Sequence, residues 1–546
     1  MNPIEPVTLP LEPNPPSAAY GPGTSQPAPP EKDYGFARPD GAFALLLTVL
    51  GFLFVKFVLG GGGGVSVTVY TVLYTASVLG YLRVRKAEIR PAGLACLAVV
   101  LVTGAYFGLF GGGPLGVFTL LFLIALSAYA AAALCGACTG SAPLRYVVSD
   151  TCAALFVTPF SHFGAGPRAV YRATRGKASR RVLYAVLGVL LAIPLFILVG
   201  VLLGSADELF KRMWDSLAGA LFNRLPVHAG QFLLGIPVAM YLFGLLYGSL
   251  RRRAQSGLEE RAEARARSLR VVPLPLALGV VVPLLALYVL FFLSQLPYLT
   301  SAFLGVVPEG YTHAEYARRG FFELCGVCSI NMAVLLGLYH FTRFEPKGVG
   351  FVSSCRPAGV CAVLLCVFSM CLSVISLRKM ILYVEHLGLT RKRIYTSVFM
   401  IFLFAAFALA IAGLLRKRFA AARWVTLTGT ALLLALCFMN ADALVARHNI
   451  SRYQQNKVER LDVMPMRDLG YAAVKPLADL LEAGGLDPAL EEDILYVLSG
   501  IYDHKHVYAN RDWRSMTLVS LQSRGILEGM ADRLEGGRLE RQSLDR

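Results

Sequence analysis

The sequence predicts an all-α, polytopic transmembrane helix bundle of about eleven spans with a small helical C-terminal tail, and three observations carry that prediction. Of its 546 residues, 56% are hydrophobic and only 16% charged, whereas an ordinary soluble domain carries about a quarter charged residues. Stretches such as "AFALLLTVLGFLFVKFVLG", "VLYAVLGVLLAIPLFILVGVLL" and "WVTLTGTALLLALCFM" run to roughly the 17 to 25 residues that cross a ~30 Å hydrocarbon layer. Lipid cannot hydrogen-bond a backbone, so each span must satisfy its own amides as a helix.

In chain order, residues 1–40 come first and include "PLEPNPPSAAYGPGTSQPAPPEKD". Rich in Pro and small polar residues, this tail cannot bury a core and is expected to be disordered. It lacks the basic start and short apolar core of a secretory signal, so it should remain on the cytoplasmic side. The bundle follows over 41–440. Length and apolarity place spans near 42–60, 64–82, 91–110, 114–137, 182–204, 231–250, 271–296, 320–341, 357–377, 394–415 and 424–440.

The formal net charge is +17. Because each tail is mildly acidic, with net −3 over 1–40 and over 441–546, the bundle itself carries +23. Alternate loops, among them "RVRKAEIR", "RRRAQSGLEERAEARARSLR" and "RKRFAAAR", hold about 25 Lys and Arg against about 10 in the others. That asymmetry orients spans with the basic loops in the cytoplasm, so it calls for a lipid bilayer as partner and for no nucleic acid. An odd span count then puts the C-terminus outside. The segment "RKMILYVEHLGLTRKR", 378–393, dissents, being read as an outer loop despite five basic residues.

Residues 441–546 form the tail, helical over 466–530. In "LDPALEEDILYVLSGI", Asp487 is placed as N-cap and Pro488 at the first helical position, with Leu490, Ile494, Val497, Leu498 and Ile501 at helical spacing. "DWRSMTLVSLQSRGIL" continues the pattern. Such a tail is too small for an ordinary catalytic domain and should pack on the outer face of the bundle.

Ionisable and polar groups gather at that expected outer face: Asp207, His313, Glu315, Arg319, Glu385, His386, Asp442, Arg447, His448, Asn449 and Arg452. Three His with carboxylates could bind a divalent ion, but none of these loops has the HExxH spacing. His313 and Glu315, two apart, point to different faces of a helix, so neither metal nor cofactor is expected and a mutually paired interfacial network is. The eleven cysteines fall in spans or inner loops, with none in the outer loops or the tail, which argues against a disulfide framework. "CGAC" and "CGVC" lie in or beside apolar helices and read as small buried hydrophobes. "GGGGG" at 60–64 and "GGGP" at 111–114 lack the Gly-Lys-Ser/Thr of a phosphate loop and sit at tight outer turns. Glycines spaced by four, 104/108, 200/204 and 244/248, allow close helix approach. Lys56 is the clear charge inside a span. Such a group is either functional or snorkels to the nearby interface.

"SADELF", "EGYTHAEYARRGFFEL", "LYVEHLGLTRKRIY", "NADALVARHNISRY" and "DWRSMTL", in that order over about 180–520, resemble the bacterial multi-pass membrane proteins of domain-of-unknown-function family 4173, close to family 4153. The resemblance implies an integral protein of the bacterial cytoplasmic membrane and brings no activity, substrate or catalytic residue. The first expectation is therefore a non-enzymatic polar platform for envelope signalling or for a partner protein. A second is transport of a small solute or lipid, which for a solute requires a polar cavity reaching into the membrane. A third is a membrane-embedded hydrolase or transferase pairing His386 with Glu385 or His448 with Asp442 between loops.

Overall fold

The computed structural model describes residues 35–140, 143–173, 188, 192, 196, 199–200, 202–222, 227–252, 258–304, 321–344, 350–416, 419–507 and 512–534. Among the described residues every regular element is helical, and β pairing is confined to one bridge between Val272 and Thr342. Among the described residues ten helices are long and apolar enough to cross a membrane, and they coincide with ten of the eleven expected spans. The remaining expected span, 182–204, lies largely outside the described residues, as do 1–34 of the N-terminal tail.

Three apolar cores organise these helices. The first is built by α1 (Arg38–Leu53, continued by a π turn Phe54–Leu59), α2 (Val65–Val84), α3 (Pro91–Phe110) and α4 (Gly113–Cys135). Short helices α5 (Val147–Cys152), α6 (Thr158–Ser161) and α7 (Ala165–Ala173) follow, with a π turn, Ala153–Val157, between α5 and α6. After α8 (Glu208–Phe222), α9 (Val227–Arg252) returns to complete this core. Proline in the first turn starts α1, α3 and α4, where its missing N–H costs no helical bond. Small residues then set the packing distance. At the α1–α9 crossing a Cβ on Gly51 would run into the Gly235 carbonyl, and Thr68 on α2 donates to the Gly104 carbonyl of α3 at 2.7 Å while accepting from the Gly108 amide at 3.0 Å. The glycine spacing read from the sequence thus acts as a packing device, as expected.

At the end of this unit remote from the tail, two buried carboxylates are fully engaged. Asp40 accepts from Tyr81 Oη at 3.1 Å and from the Ala37 amide at 2.9 Å, with Arg85 Nη1 at 3.4 Å. Asp150 accepts from both the amide and hydroxyl of Thr139, with Arg252 at 3.9 Å.

After α10 (Leu258–Ser268), the second core is made by α11 (Leu274–Leu304), α12 (Phe321–Phe341), the short α13 (Phe351–Ser354), α14 (Arg356–Leu387) and α15 (Arg391–Leu415). A buried polar seam crosses it, in which Tyr288 donates to Asn331 and Asn331 donates to Ser369 at 2.9 Å. Here the structure corrects one expectation. The segment 378–393 is not a loop: α14 runs unbroken for 32 residues to Leu387, roughly 48 Å at 1.5 Å per residue and longer than the ~30 Å hydrocarbon layer. Its last turns, with Arg378, Lys379, Glu385 and His386, are a helical extension, and the turn itself is only Gly388–Thr390.

The third core joins α16 (Ala421–Phe438) and α17 (Ala441–Gln454) to the tail helices α18 (Tyr471–Ala483), α19 (Pro488–Val507) and α20 (Leu518–Gly529). On α19, Leu490, Ile494, Val497, Leu498 and Ile501 are all buried, as their spacing predicts. Leu436 and Ile394 from the spans belong to the same core, so the tail folds onto the bundle. The first and third units meet where Thr119 lies 3.6 Å from Cys437 and Phe110 packs edge-on against Phe438.

Candidate functional site

The site assembles where the α14–α15 turn, the α16–α17 elbow and the tail converge. Asn440 makes the elbow: its φ of +48° is a left-handed conformation asparagine tolerates, and its side chain caps α17 by accepting from the Ala443 amide at 3.3 Å. The chain breaks between α16 and α17 at Asn440, and α17 presents Asn449 and Arg452 to the end of α14 and its turn.

That turn is held by α17. Asn449 accepts from the Leu389 amide at 2.8 Å and donates to the Leu389 carbonyl at 3.0 Å, satisfying both backbone groups of one residue. Gly388, at φ +77°, leaves room for this clamp, since a Cβ there would lie 2.7 Å from Asn449 Oδ1. The carbonyls at the C-terminus of α14 accept from cations: Arg452 donates to the Glu385 carbonyl, and Arg393 to the carbonyls of Leu387 and Gly388. This accounts for Arg393 as a helix-terminal cap as well as surface charge.

Beside the clamp lies a polar cavity of about 250 Å³, with walls from all three units. Tyr106 and Gly111 come from the first, Arg391 and Tyr395 from the second, and Asp442, Asp468 and Thr517 from the third. Arg391 Nε stands 3.4 Å from Asp442 Oδ1, and its Nη2 donates to the Asp468 carbonyl at 3.0 Å. Although ion-paired in distance, Asp442 Oδ1 is enclosed and receives no hydrogen bond. Burial pushes the Asp442 carboxyl above its ordinary range, and Arg391 opposes that shift. His448, further along α17, also has an enclosed Nε2 without a hydrogen bond. Burial, then Arg452 and Lys457, depress its imidazole below the usual value.

The tail reaches the site through the glycine turns. Val65 donates its amide to the Met516 carbonyl at 2.9 Å, Arg514 Nη1 donates to the Lys56 carbonyl at 2.8 Å, and Trp513 packs edge-on against Phe57. A Cβ on Gly64 would sit 2.5 Å from Ser515 C and 2.7 Å from the Met516 carbonyl, so "GGGGG" forms a cradle for tail backbone. Lys56 lies at this edge, its ammonium 5.7 Å from the Phe52 ring. Asp512, hydrogen-bonded by Arg514 and near Lys56, is held below the ordinary carboxylate range.

Of the residues singled out from the sequence, the structure brings together Glu385, Asp442, Asn449 and Arg452, with His448 beside them and the exposed Arg447 on the same helix. His386 is exposed at the end of α14. Asp207 is separate: it is exposed and caps α8 by accepting from the Phe210 amide at 2.7 Å. His313, Glu315 and Arg319 lie outside the described residues. Among the described residues no three His, Cys, Asp or Glu side chains converge to hold a metal. Sequence reasoning did not include Arg391, Arg393, Asp468 or Asn440 among the site residues. Asn440 alone carried a local signal, as an asparagine between two helices.

Fold and site together define a polytopic helical membrane protein whose polar pocket is walled in part by its own C-terminal tail. The chain belongs to the DUF4153 family, a domain of unknown function, whose model matches residues 94–480 and so covers most of the pocket wall. No curated protein and no solved structure matches the chain.

Proposed function

We propose that this protein is a non-enzymatic binding platform of the bacterial cytoplasmic membrane, whose tail-side pocket receives a polar group of an envelope or signalling partner. The observation that carries this reading is Asp442: an enclosed carboxylate oxygen without a hydrogen-bond donor, in a cavity shared by all three units. An unsatisfied buried acceptor costs about 1–3 kcal/mol, which a donor on an incoming group would recover. At about 250 Å³ the cavity is smaller than the roughly 300–1,000 Å³ of a drug-sized ligand site, so it suits one side chain or hydroxyl-bearing fragment. Filling it would couple two bundles and the tail, as signalling requires.

Several observations support the finer points. In the sequence, the alternate segments read as inner loops hold about 25 Lys and Arg against about 10 in the others, which favours a cytoplasmic N-terminus and an extracytoplasmic tail. A Pro-rich N-terminal segment ahead of α1, a bundle to residue 440 and a tail over 441–546 remain the proposed organisation. The order of the five motifs favours kinship with family 4173 within this group. Solute transport finds less support: the larger intramembrane cavity is apolar, and the polar pocket lies at the tail-side face.

The test is site-specific photocrosslinking in intact cells, with a photoreactive phenylalanine at Arg447 or Val519. A discrete adduct that disappears with Asp442→Asn is the expected result. No adduct at either position, or one indifferent to Asp442→Asn, would overturn the reading.

A further inference from the structure

A cavity of about 520 Å³ lies inside the first unit, walled by α1, α2, α4 and α9, with Phe160 of α6 and Phe163 from the turn that follows it. Its lining is almost wholly apolar, and three of its five hydroxyl-bearing residues are internally engaged. Thr71 donates to the Val67 carbonyl at 2.8 Å, Tyr74 to Ser127 at 3.2 Å and Tyr241 to Leu155 at 2.9 Å. Water in such a space would find few of the two to four partners it needs.

Three departures from regular helix surround this one cavity. The π turn of α1 contributes Phe54 and Val58, Pro237 interrupts α9 from within, and the π turn of Ala153–Val157 supplies the Leu155 carbonyl that Tyr241 binds. Irregular backbone at membrane depth is tolerated where it is buried in protein or lines a cavity, and π turns concentrate at functional sites. Of its lining residues, Ile124 and Phe160 are 36% and 54% exposed, so the cavity has an apolar side at the outer surface of the helices.

We infer that this cavity is a binding site for one hydrocarbon chain of a membrane lipid, entering laterally between α4 and Phe160. The chemistry excludes a charged headgroup from the interior, because the lining offers only apolar groups and a few hydroxyls, with no charged side chain to pair it. The headgroup stays in the bilayer while the chain replaces a void that would otherwise forfeit dispersion contacts. This site is distinct from the polar pocket at Asp442 and does not depend on it.

The test uses the full chain in liposomes of phosphatidylethanolamine and phosphatidylglycerol, doped with a phospholipid carrying a diazirine on one acyl chain. After illumination, residue-level mass spectrometry should find adducts on Tyr70, Tyr74 and Tyr241 at least as abundant as those on Phe118 and Leu121, which are both 62% exposed to lipid. Ala128→Trp, which fills the cavity, should reduce the tyrosine adducts about tenfold and leave the Leu121 adducts unchanged. Labelling of Phe118 and Leu121 without the three tyrosines in the wild-type chain would overturn the inference, whether or not the tryptophan variant folds. So would reaction of Ser127→Cys with a small water-soluble thiosulfonate as fast as Ser451→Cys, since water would then fill the space.

Discussion

At the scale of single residues, two aspartates, Asp40 fully buried and Asp442 partly exposed, make opposite predictions. Asp40 has every partner a carboxylate can use, so Asp40→Asn strands Arg85 and weakens the bonds from Tyr81 and Ala37. Breaking such a buried pair costs about 3–5 kcal/mol, and the melting temperature in detergent should fall. Asp442 lacks hydrogen bonds, and burial raises its pKa. A carboxyl whose folded pKa exceeds its unfolded value contributes its stability fully at pH below the unfolded value and loses it as pH rises through the folded value. Asp442→Asn should therefore raise the melting temperature at neutral pH and flatten its dependence on pH across the acid range. A fall equal to that of Asp40→Asn would mean that Asp442 is a structural ion pair. Asn449→Ala, in turn, leaves both backbone groups of Leu389 without their partner and should cost about 1–3 kcal/mol, measurable in the same melts. Asparagine at 449 and 440 was visible in the sequence as part of a polar run. The separate duties of the two, clamp and elbow, depend on partners that no local pattern names.

At the scale of elements, the spans were legible because lipid enforces both length and apolarity. The inner face of α19 was legible as well, since helical spacing survives outside the membrane. The extension of α14 to Leu387 was not: beyond the hydrocarbon layer a helix no longer needs apolar residues, so hydropathy marks the membrane boundary and not the helix end. Glycine turns were read as tight corners, and their service as a cradle for Ser515 and Met516 required the tail in place. Gly64→Ala would drive its Cβ into that backbone and should lift the segment, so that Ser515→Cys reacts several-fold faster with a maleimide. Gly525→Ala, which meets no atom within 4 Å, should leave labelling unchanged and stabilise α20 by up to about 1 kcal/mol. Equal labelling in both variants would show that the cradle does not hold the tail.

For the whole molecule, the pocket draws its walls from segments near 111, 391, 442, 468 and 517. Contacts so distant in sequence explain why the sequence showed a polar face yet not the cavity within it, and why Asp207 was grouped with residues it does not touch. The central claim is that this junction faces the extracytoplasmic space, where an envelope partner can reach Asp442. It is tested most directly by single cysteines at Ser216, Ser451 and Ser515, in a chain lacking the native eleven, exposed in intact cells to a membrane-impermeant maleimide. Labelling of all three before permeabilisation is predicted. Labelling of Ser451 and Ser515 only after the cells are opened would place the tail and its pocket in the cytoplasm and contradict the account.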